Sequence, residues 1–331
     1  MTPSSPDRLV ALLTEDATAE AVAWLDGLET ADAETRRRAL RQARSHAAER
    51  PDRFDGLADS LAPFLTDTNR AVRLTTAKLF VALARAEPSV TRPAVAALAD
   101  RLADDGEFYY VRARCAEALG YVALEHPETV GDPETLADLR IGLSFDEPEV
   151  KPKLAKALEC VALGDPSRLR HQVGSLAEHL DDDDELVRYH LCTALAAVGC
   201  AHPAKLAAGR DALAARLSDP DEDPRVRGRA AEALGLLCRA ADEAATVPDE
   251  VGGKAGEAEE FLAPRLAFLR AARTGSSTDR TTGVGTLGSL RDGSQGAVDE
   301  MTTPEGDECP GCGLSLPDDG PPTCPRCGSP Y

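Results

Sequence analysis

The sequence predicts an all-α protein built as a right-handed α-solenoid of about six helical hairpins. Three observations predict it: a valine-led motif recurs every 37 to 39 residues, each copy has apolar residues at helical spacing, and a proline follows most copies. Two-helix units of this period stack on their neighbours and bury a continuous core. The predicted solenoid spans 1–272, and a flexible linker (273–306) and a small cysteine-rich module (307–331) follow it.

The first helix of each hairpin is marked by a valine with a base immediately after it. A small residue stands five positions later, and large apolar residues follow at offsets of eight and eleven. These offsets fall on one face of an α-helix, so the pattern predicts a helix with one buried stripe. The marker valines and their bases are Val72 with Arg73, Val111 with Arg112, Val150 with Lys151, Val187 with Arg188, and Val226 with Arg227.

The second helix is marked by a proline near its start and a pair of leucines four residues apart. Proline ends the preceding helix and suits the first turn of the next one. Acidic turns such as Asp181 to Asp184 follow, and their carboxylates can cap the next first helix. A weaker copy begins at Thr35, and Trp24 with Leu28 predicts a half-repeat before it. The leucine pairs are Leu61/Leu65, Leu98/Leu102, Leu139/Leu143, Leu176/Leu180 and Leu213/Leu217.

Two segments of the chain, VRARCAEALG (111–120) and VRGRAAEALG (226–235), resemble the repeat motif of the HEAT family. They are most similar to the HEAT-like units also found in phycobilin lyases, and the resemblance covers about residues 18–271. It implies HEAT-type hairpins, but these repeats serve many functions and the motif does not imply lyase activity. In the family, an inter-repeat aspartate pairs with the arginine after the valine. This implies the pairs Asp67 with Arg73, Asp182 with Arg188 and Asp221 with Arg227, whereas Phe145 replaces the aspartate in the third repeat.

Four cysteines near the end of the chain have the spacing of a metal site. Cys309 and Cys312 form one pair, and Cys324 and Cys327 form a second pair after eleven intervening residues. Four thiolates complete a closed tetrahedral site, so the pattern resembles a zinc ribbon and implies one structural Zn²⁺. A rubredoxin-like iron centre would use the same ligands, and two disulfides are a further alternative. A single aromatic residue in the module, Tyr331, favours zinc over iron.

The composition is acidic and poor in lysine. The net charge is −20, and only six of the 37 basic residues are lysines. This balance is typical of a halophilic archaeon, or alternatively of an acidic cytosolic protein from a GC-rich genome, and it indicates solubility rather than function. No apolar run approaches the roughly 18 residues of a membrane span, so we expect a cytoplasmic protein without a membrane partner. The other five cysteines are expected to pack inside first helices.

No catalytic motif stands out in the sequence. None of the six histidines is followed by glutamate, so the His-Glu iron site of HEAT-like lysine hydroxylases is absent. Phosphate-binding, zinc-protease and nucleophile-elbow motifs are also absent from the sequence. The only dense basic run, Arg36 to Arg44, is flanked by Glu34 and Glu49, which predicts an ion-paired helix face.

The sequence therefore predicts a non-enzymatic scaffold that binds a protein partner on the solenoid surface, with the zinc ribbon as a tethered second contact. The expected polar contacts are Arg101, Arg140, His179 and Arg216, placed on an inner surface formed by the second helices. One alternative is a nucleic-acid-associated regulator that uses the ribbon, although a charge of −20 disfavours nucleic acid. The other is a lyase-type enzyme with a pocket on the concave face.

Overall fold

The computed structural model describes residues 7–145, 147, 150–240, 259–274 and 283–301. This part of the chain folds into helices and contains no strand. Six helical hairpins follow one another, preceded by a short pair of helices, α1 (Asp7–Thr14) and α2 (Thr18–Leu28). Leu28 of α2 is fully buried. The helical solenoid and the half-repeat before it are therefore as the sequence predicts.

Each hairpin has a long first helix and, in most repeats, a shorter and interrupted second helix. The first helices are α3 (Ala33–Glu49), α5 (Arg70–Ala86), α8 (Tyr109–Glu125), α10 (Lys151–Gly164), α12 (Glu185–Ala201) and α14 (Pro224–Ala240). The second helices are α4 (Ala58–Leu61), α6 (Pro88–Thr91) with α7 (Val95–Ala103), α9 (Pro133–Ile141), α11 (Val173–Ala177), α13 (Arg210–Ser218) and α15 (Glu259–Thr274). Short 3-10 turns adjoin most of the second helices. Among the described helices, none has the length and apolar character needed to cross a membrane.

Side-chain caps and prolines fix where these helices begin. The Asp184 carboxylate accepts the Leu186 N–H at 2.8 Å and caps α12, as the acidic turn predicts. Asp32 caps α3 in the same way, through the N–H of Thr35 at 3.0 Å. Pro88, Pro166 and Pro203 each open the helical turn after a first helix, where the missing N–H leaves no hydrogen bond unmade.

Successive first helices pack closely because small residues lie where they meet. A Cβ on Gly120 would lie 2.7 Å from the Cα of Ala157, and one on Gly164 would lie 2.1 Å from the carbonyl oxygen of Ala123. Glycine is needed at both contacts. Neighbouring first helices also contact each other more extensively than neighbouring second helices do.

A further helix, α16 (Leu287–Met301), occupies part of the predicted linker. The sequence predicts flexible chain there because glycine, serine and threonine dominate the segment. The structure instead packs α16 against α10 and α12, with Leu290 fully buried and Ala297 nearly so. Burial of these apolar side chains compensates for the poor helix propensity of glycine and serine. The structure thus corrects the linker prediction over residues 283–301.

The first testable prediction concerns the buried stripe of α10. Leu158 has no exposed surface. Replacing it with aspartate removes a large apolar contact and buries a charge without a partner, so we expect Leu158→Asp to lower the free energy of unfolding by more than about 3 kcal/mol. Thermal unfolding followed by circular dichroism measures this.

The matched control is Ile141→Asp, which makes the same type of change at a side chain that is 49% exposed. We expect it to change stability by less than about 0.5 kcal/mol. Equal melting temperatures for Leu158→Asp and Ile141→Asp would contradict the helical register.

Candidate partner-binding surface

The bases after the first four marker valines reach forward to the turn of the next repeat. Arg73 donates two hydrogen bonds to Glu107, from Nε at 2.6 Å and from Nη2 at 2.8 Å. Arg188 makes the same two bonds to Glu222, both at 2.7 Å. These hydrogen bonds raise the pKa of both arginines. The Glu107 and Glu222 carboxylates are almost fully buried, so each base helps to neutralise a carboxylate that is shielded from water.

We call this series of inter-repeat contacts the ion-pair ladder. The partner lies 31 or 34 residues further along the chain, on the turn that begins the next repeat. The third repeat departs from it: the Arg112 guanidinium lies 4.6 Å from the centre of the Phe145 ring and donates to the carbonyl oxygen of Leu102. The ladder consists of Arg36 with Asp67, Arg73 with Glu107, Lys151 with Asp182, and Arg188 with Glu222.

The ladder corrects two of the pairs that the family resemblance implies. Arg73 donates to the backbone oxygen of Asp67 at 2.8 Å, not to its carboxylate, which binds Arg36 of the preceding repeat. Arg188 likewise donates to the backbone oxygen of Asp182. The spacing of six residues therefore reflects a backbone contact, and the ion pair itself joins neighbouring repeats.

Two of the four predicted partner contacts, Arg101 and Arg216, bind carboxylates of this ladder. Arg101 pairs with Asp104 at 3.0 Å and lies 3.6 Å from Glu107. Arg216 donates to Glu222 at 3.1 Å. Both arginines add a second cation to a buried carboxylate, which explains why they recur near the leucine pairs.

Arg140 and His179 are partly exposed and lie on the second-helix side of their repeats. Arg140 is in α9, and His179 follows the end of α11. The structure thus distributes the four predicted residues along the second helices.

The opposite surface, which we call the first-helix face, is the side that faces away from the second helices. It is formed by α3, α5, α8, α10, α12 and α14. It carries ionisable side chains that are almost fully buried: Glu117, Glu159, His190, Arg229 and Glu232. They lie three, six or nine residues after a marker valine, opposite the apolar stripe of their helices. Helical periodicity alone assigns such positions to solvent, and for that reason the sequence analysis missed them.

Cations surround the buried carboxylate of Glu117. Arg114 donates to it at 2.7 Å, and Lys153 lies 3.8 Å away. Burial alone would raise the pKa of Glu117, but Lys153, Arg114 and Lys156 lower it to about 2. Three bases of α8 and α10 therefore keep this buried carboxylate ionised.

A second buried network joins α12, α14 and α15. Glu232 accepts hydrogen bonds from Arg229 at 2.9 Å and from Arg265 at 3.1 Å. Arg229 also donates to the hydroxyl of Tyr189 at 3.2 Å. The remaining acceptor of Glu232 binds the backbone N–H of Gly285 at 2.8 Å, from the segment that leads into α16.

The segment from 283 to 301 docks on the first-helix face through these buried groups. The Ser294 hydroxyl donates to Glu159, whose other carboxylate oxygen pairs with His190. Burial alone would raise the pKa of Glu159, but His190, Ser294 and Lys156 hold it below its usual value. Arg291 pairs with Glu125 at 2.5 Å, and Gln295 accepts from Lys156 at 3.2 Å. The chain's own segment thus completes the hydrogen bonding of two buried carboxylates.

At α3, α5 and α8, the first-helix face contains a cavity of about 510 Å³. The cavity is lined by Arg44, Lys78, Arg85 and Arg114 together with aliphatic side chains. Part of the basic run is ion-paired as predicted, since Arg36 and Arg37 bind Asp67 and Glu34. Arg44 of the same run instead lines this cavity.

The predicted zinc ligands Cys309, Cys312, Cys324 and Cys327 lie outside the described residues. Within the described residues, no cluster of histidine, cysteine and carboxylate side chains has the arrangement of a metal site. The other cysteines are buried or partly buried, as predicted. Burial raises the pKa of the Cys160 and Cys192 thiols to about 12, so both are protonated packing residues.

Comparison with known proteins supports the repeat architecture. A family profile described as HEAT repeats matches residues 173–247. No curated protein sequence matches this chain significantly. The matched segment includes α11, α12, α13 and α14. It therefore contains Arg188 and Glu222 of the ladder and also Arg229 and Glu232 of the buried network.

Several solved structures have a similar fold. An engineered protein, 19% identical, aligns with a TM-score of 0.59 over 90% of this chain and 77% of its own. A computationally designed armadillo repeat protein for modular peptide recognition, 20% identical, aligns with a TM-score of 0.54 over 64% of this chain and 98% of its own. A designed armadillo repeat protein in complex with the peptide (KR)4, also 20% identical, aligns with a TM-score of 0.56 over 64% and 97%. At this identity the likeness shows the fold alone: the chain is a helical-repeat protein.

The second testable prediction concerns the ion-pair ladder. The Glu222 side chain is fully buried between Arg188 and Arg216. Glu222→Gln removes the anion that Arg188 and Arg216 share and leaves Arg216 only the more distant Asp219 at 3.7 Å, so we expect the free energy of unfolding to fall by about 3 kcal/mol. Urea denaturation measures the change.

Asp211→Asn is the matched control, because Asp211 pairs with Arg210 while 88% exposed. Exposed ion pairs contribute little, so its urea midpoint should match that of the unmodified protein. If Glu222→Gln and Asp211→Asn have the same urea midpoint, the ladder does not stabilise the fold and the prediction is wrong.

Proposed function

We propose that this protein is a non-enzymatic protein-interaction scaffold whose first-helix face binds a helical segment of a partner in place of its own α16. The single observation that carries the proposal is the docking of residues 283–301 on that face. A polypeptide segment is recognised there through the buried Leu290, the Ser294 hydrogen bond to Glu159 and the Gly285 bond to Glu232.

The docked segment has the properties of a replaceable ligand. Its helix contains Gly288, Gly293 and Gly296, and glycine disfavours a helix by about 1 kcal/mol relative to alanine. Two of these glycines have no neighbouring side chain to explain them, because a Cβ on Gly288 or Gly296 would meet nothing within 4 Å. A helix that depends on packing in this way is easily displaced by a better-folded competitor.

The structural relatives support a peptide as the kind of ligand. One of the designed armadillo repeat proteins with this fold is described as made for modular peptide recognition, and another was solved with a bound peptide. A repeated helical face offers regularly spaced contacts along an extended surface, which suits a linear polypeptide better than a compact small molecule.

The third testable prediction concerns displacement of α16. We expect Leu290→Asp to release the segment, because the charge cannot remain in the fully buried position. A fluorescein-labelled peptide of residues 283–301, added to the full-length variant, should then bind at least about tenfold more tightly than to the unmodified protein. In the latter, the tethered copy competes at an effective concentration of the order of millimolar. Fluorescence anisotropy measures both affinities.

Gly288→Asp is the matched control, since it adds the same charge two residues away at an exposed position with open space around it. It should leave α16 docked and binding of the added peptide weak. Equal affinities for Leu290→Asp and the unmodified protein would overturn the proposal that this face receives a polypeptide.

We further propose that Cys309, Cys312, Cys324 and Cys327 hold one structural Zn²⁺, giving the scaffold a second contact module. The paired C-x-x-C spacing supports this, because four thiolates form a closed tetrahedral site.

The fourth testable prediction concerns this zinc site. Elemental analysis of the purified protein should give one equivalent of zinc, and Cys312→Ala should reduce it well below one because a ligand is lost. Cys200→Ala is the control, since it removes a partly buried thiol of α12. Full zinc content in Cys312→Ala would contradict the assignment.

A further inference from the structure

The cavity at the α3, α5 and α8 end of the first-helix face concentrates positive charge. Arg44 comes from α3, Lys78 and Arg85 from α5, and Arg114 from α8. Four bases line one cavity in a chain whose net charge is −20. None of the residues that line it is acidic.

Two of these bases have no neutralising partner. Neither Arg44 nor Arg85 forms an ion pair with any residue that the structure describes, whereas Arg114 pairs with Glu117. Burial, followed by repulsion from Arg41 and Arg114, lowers the pKa of Arg44. An anionic group placed between these side chains would relieve that repulsion and gain charge-assisted hydrogen bonds.

The floor of the cavity is aliphatic. Ala48, Val81, Ala82 and Ala86 line it between the bases. At about 510 Å³ the cavity is large enough for several side chains. The arrangement therefore fits a ligand that has both acidic and small apolar groups.

The bases reach the cavity from three successive first helices: Arg44 from α3, Arg85 from α5 and Arg114 from α8. A ligand with several acidic groups can therefore contact more than one of them at once.

We propose that this cavity binds an acidic segment of a partner polypeptide, with its carboxylates on Arg44, Arg85 and Arg114 and its small side chains on Val81 and Ala82. The inference rests on the proposed function, because the cavity lies on the same first-helix face, beyond the part against which α16 packs. The partner's second contact is then an acidic segment.

The observations favour a peptide over a polyphosphate. Nucleic acid carries a charge at every nucleotide and gains nothing from the aliphatic floor, while the acidic surface of the protein repels each of those charges. A short peptide needs only two or three carboxylates, and its methyl groups fit the alanines and the valine of the floor.

The test uses the full-length protein and a fluorescein-labelled decapeptide in which glutamate alternates with alanine. We expect saturable binding by fluorescence anisotropy, and we expect Arg44→Ala combined with Arg85→Ala to weaken it at least about tenfold. Arg44→Lys combined with Arg85→Lys should recover part of the affinity, because the charge is kept and the guanidinium geometry is lost. The expected order of affinity is therefore the unmodified protein first, the lysine variant second and the alanine variant last. A purely structural role of the arginines would not produce this order.

Arg41→Ala is the matched control, since Arg41 is an exposed arginine of the same helix that does not line the cavity. It should change the affinity by less than about twofold. The same peptide with lysine in place of glutamate should not bind. Absence of saturable binding of the glutamate peptide, or equal binding of the lysine peptide, would overturn the inference.

Pyrophosphate and a twenty-nucleotide single-stranded DNA are added as competitors. Weak competition by both supports a peptide site, and tight binding of either without binding of the glutamate peptide overturns it in favour of a polyanion site. Binding of the labelled 283–301 peptide to Leu290→Asp, measured with and without the Arg44 and Arg85 substitutions, separates the two proposals. If that binding persists while the glutamate peptide fails, only the cavity inference is lost.

Discussion

The repeat array depends on the forward contacts made by the bases after the first four marker valines. Apolar stacking alone is non-directional and tolerates sliding of one hairpin on the next. Two charge-assisted hydrogen bonds from Arg73 to Glu107, at 2.6 and 2.8 Å, admit only one position of the following turn. Arg112 makes the same forward contact by stacking on the ring of Phe145, and its acidic partner, Asp105 at 3.2 Å, lies in the turn that precedes its own helix. The geometry of the contact is therefore conserved within the chain although its chemistry changes.

Close spacing of the first helices has a chemical consequence for the face that they form. With glycine or alanine at the contacts, the helices approach so closely that charged groups such as Glu159 and Glu232 are buried by their neighbours. A buried carboxylate requires its full set of partners. The neighbouring first helix α12 supplies His190 to Glu159, and Arg229 of α14 itself pairs with Glu232. The α16 helix and its leading segment supply the last donors, Ser294 and Gly285. Occupation of this face by a polypeptide is thus a consequence of how the repeats pack.

Repeat period, helix faces and caps could be predicted because each depends on residues within one hairpin. The partner of Arg73 could not, since Asp67 at a spacing of six and Glu107 at thirty-four are equally plausible until the turn geometry is known. Burial of Glu117 and Glu232 was missed because periodicity places them opposite the apolar stripe, and only stacking covers them. Glycines in α16 predict flexible chain, whereas the burial of Leu290 decides otherwise. Each of these incorrect predictions concerns a contact between neighbouring repeats or the α16 segment that packs across them.

The two ends of the first-helix face also show why net charge is a poor guide to the ligand. Around α10, α12 and α14, bases and acids alternate and neutralise each other, as in the Arg229, Glu232 and Arg265 network. At α3 and α5, Arg44 and Arg85 lack acids within the described residues. At physiological salt, exposed charges act over about 8 Å, and at molar salt over about 3 Å. The total of −20 therefore governs solubility, while the few groups that line the cavity govern what binds there. High salt sharpens this separation, because it screens the distant carboxylates but not contacts inside the cavity.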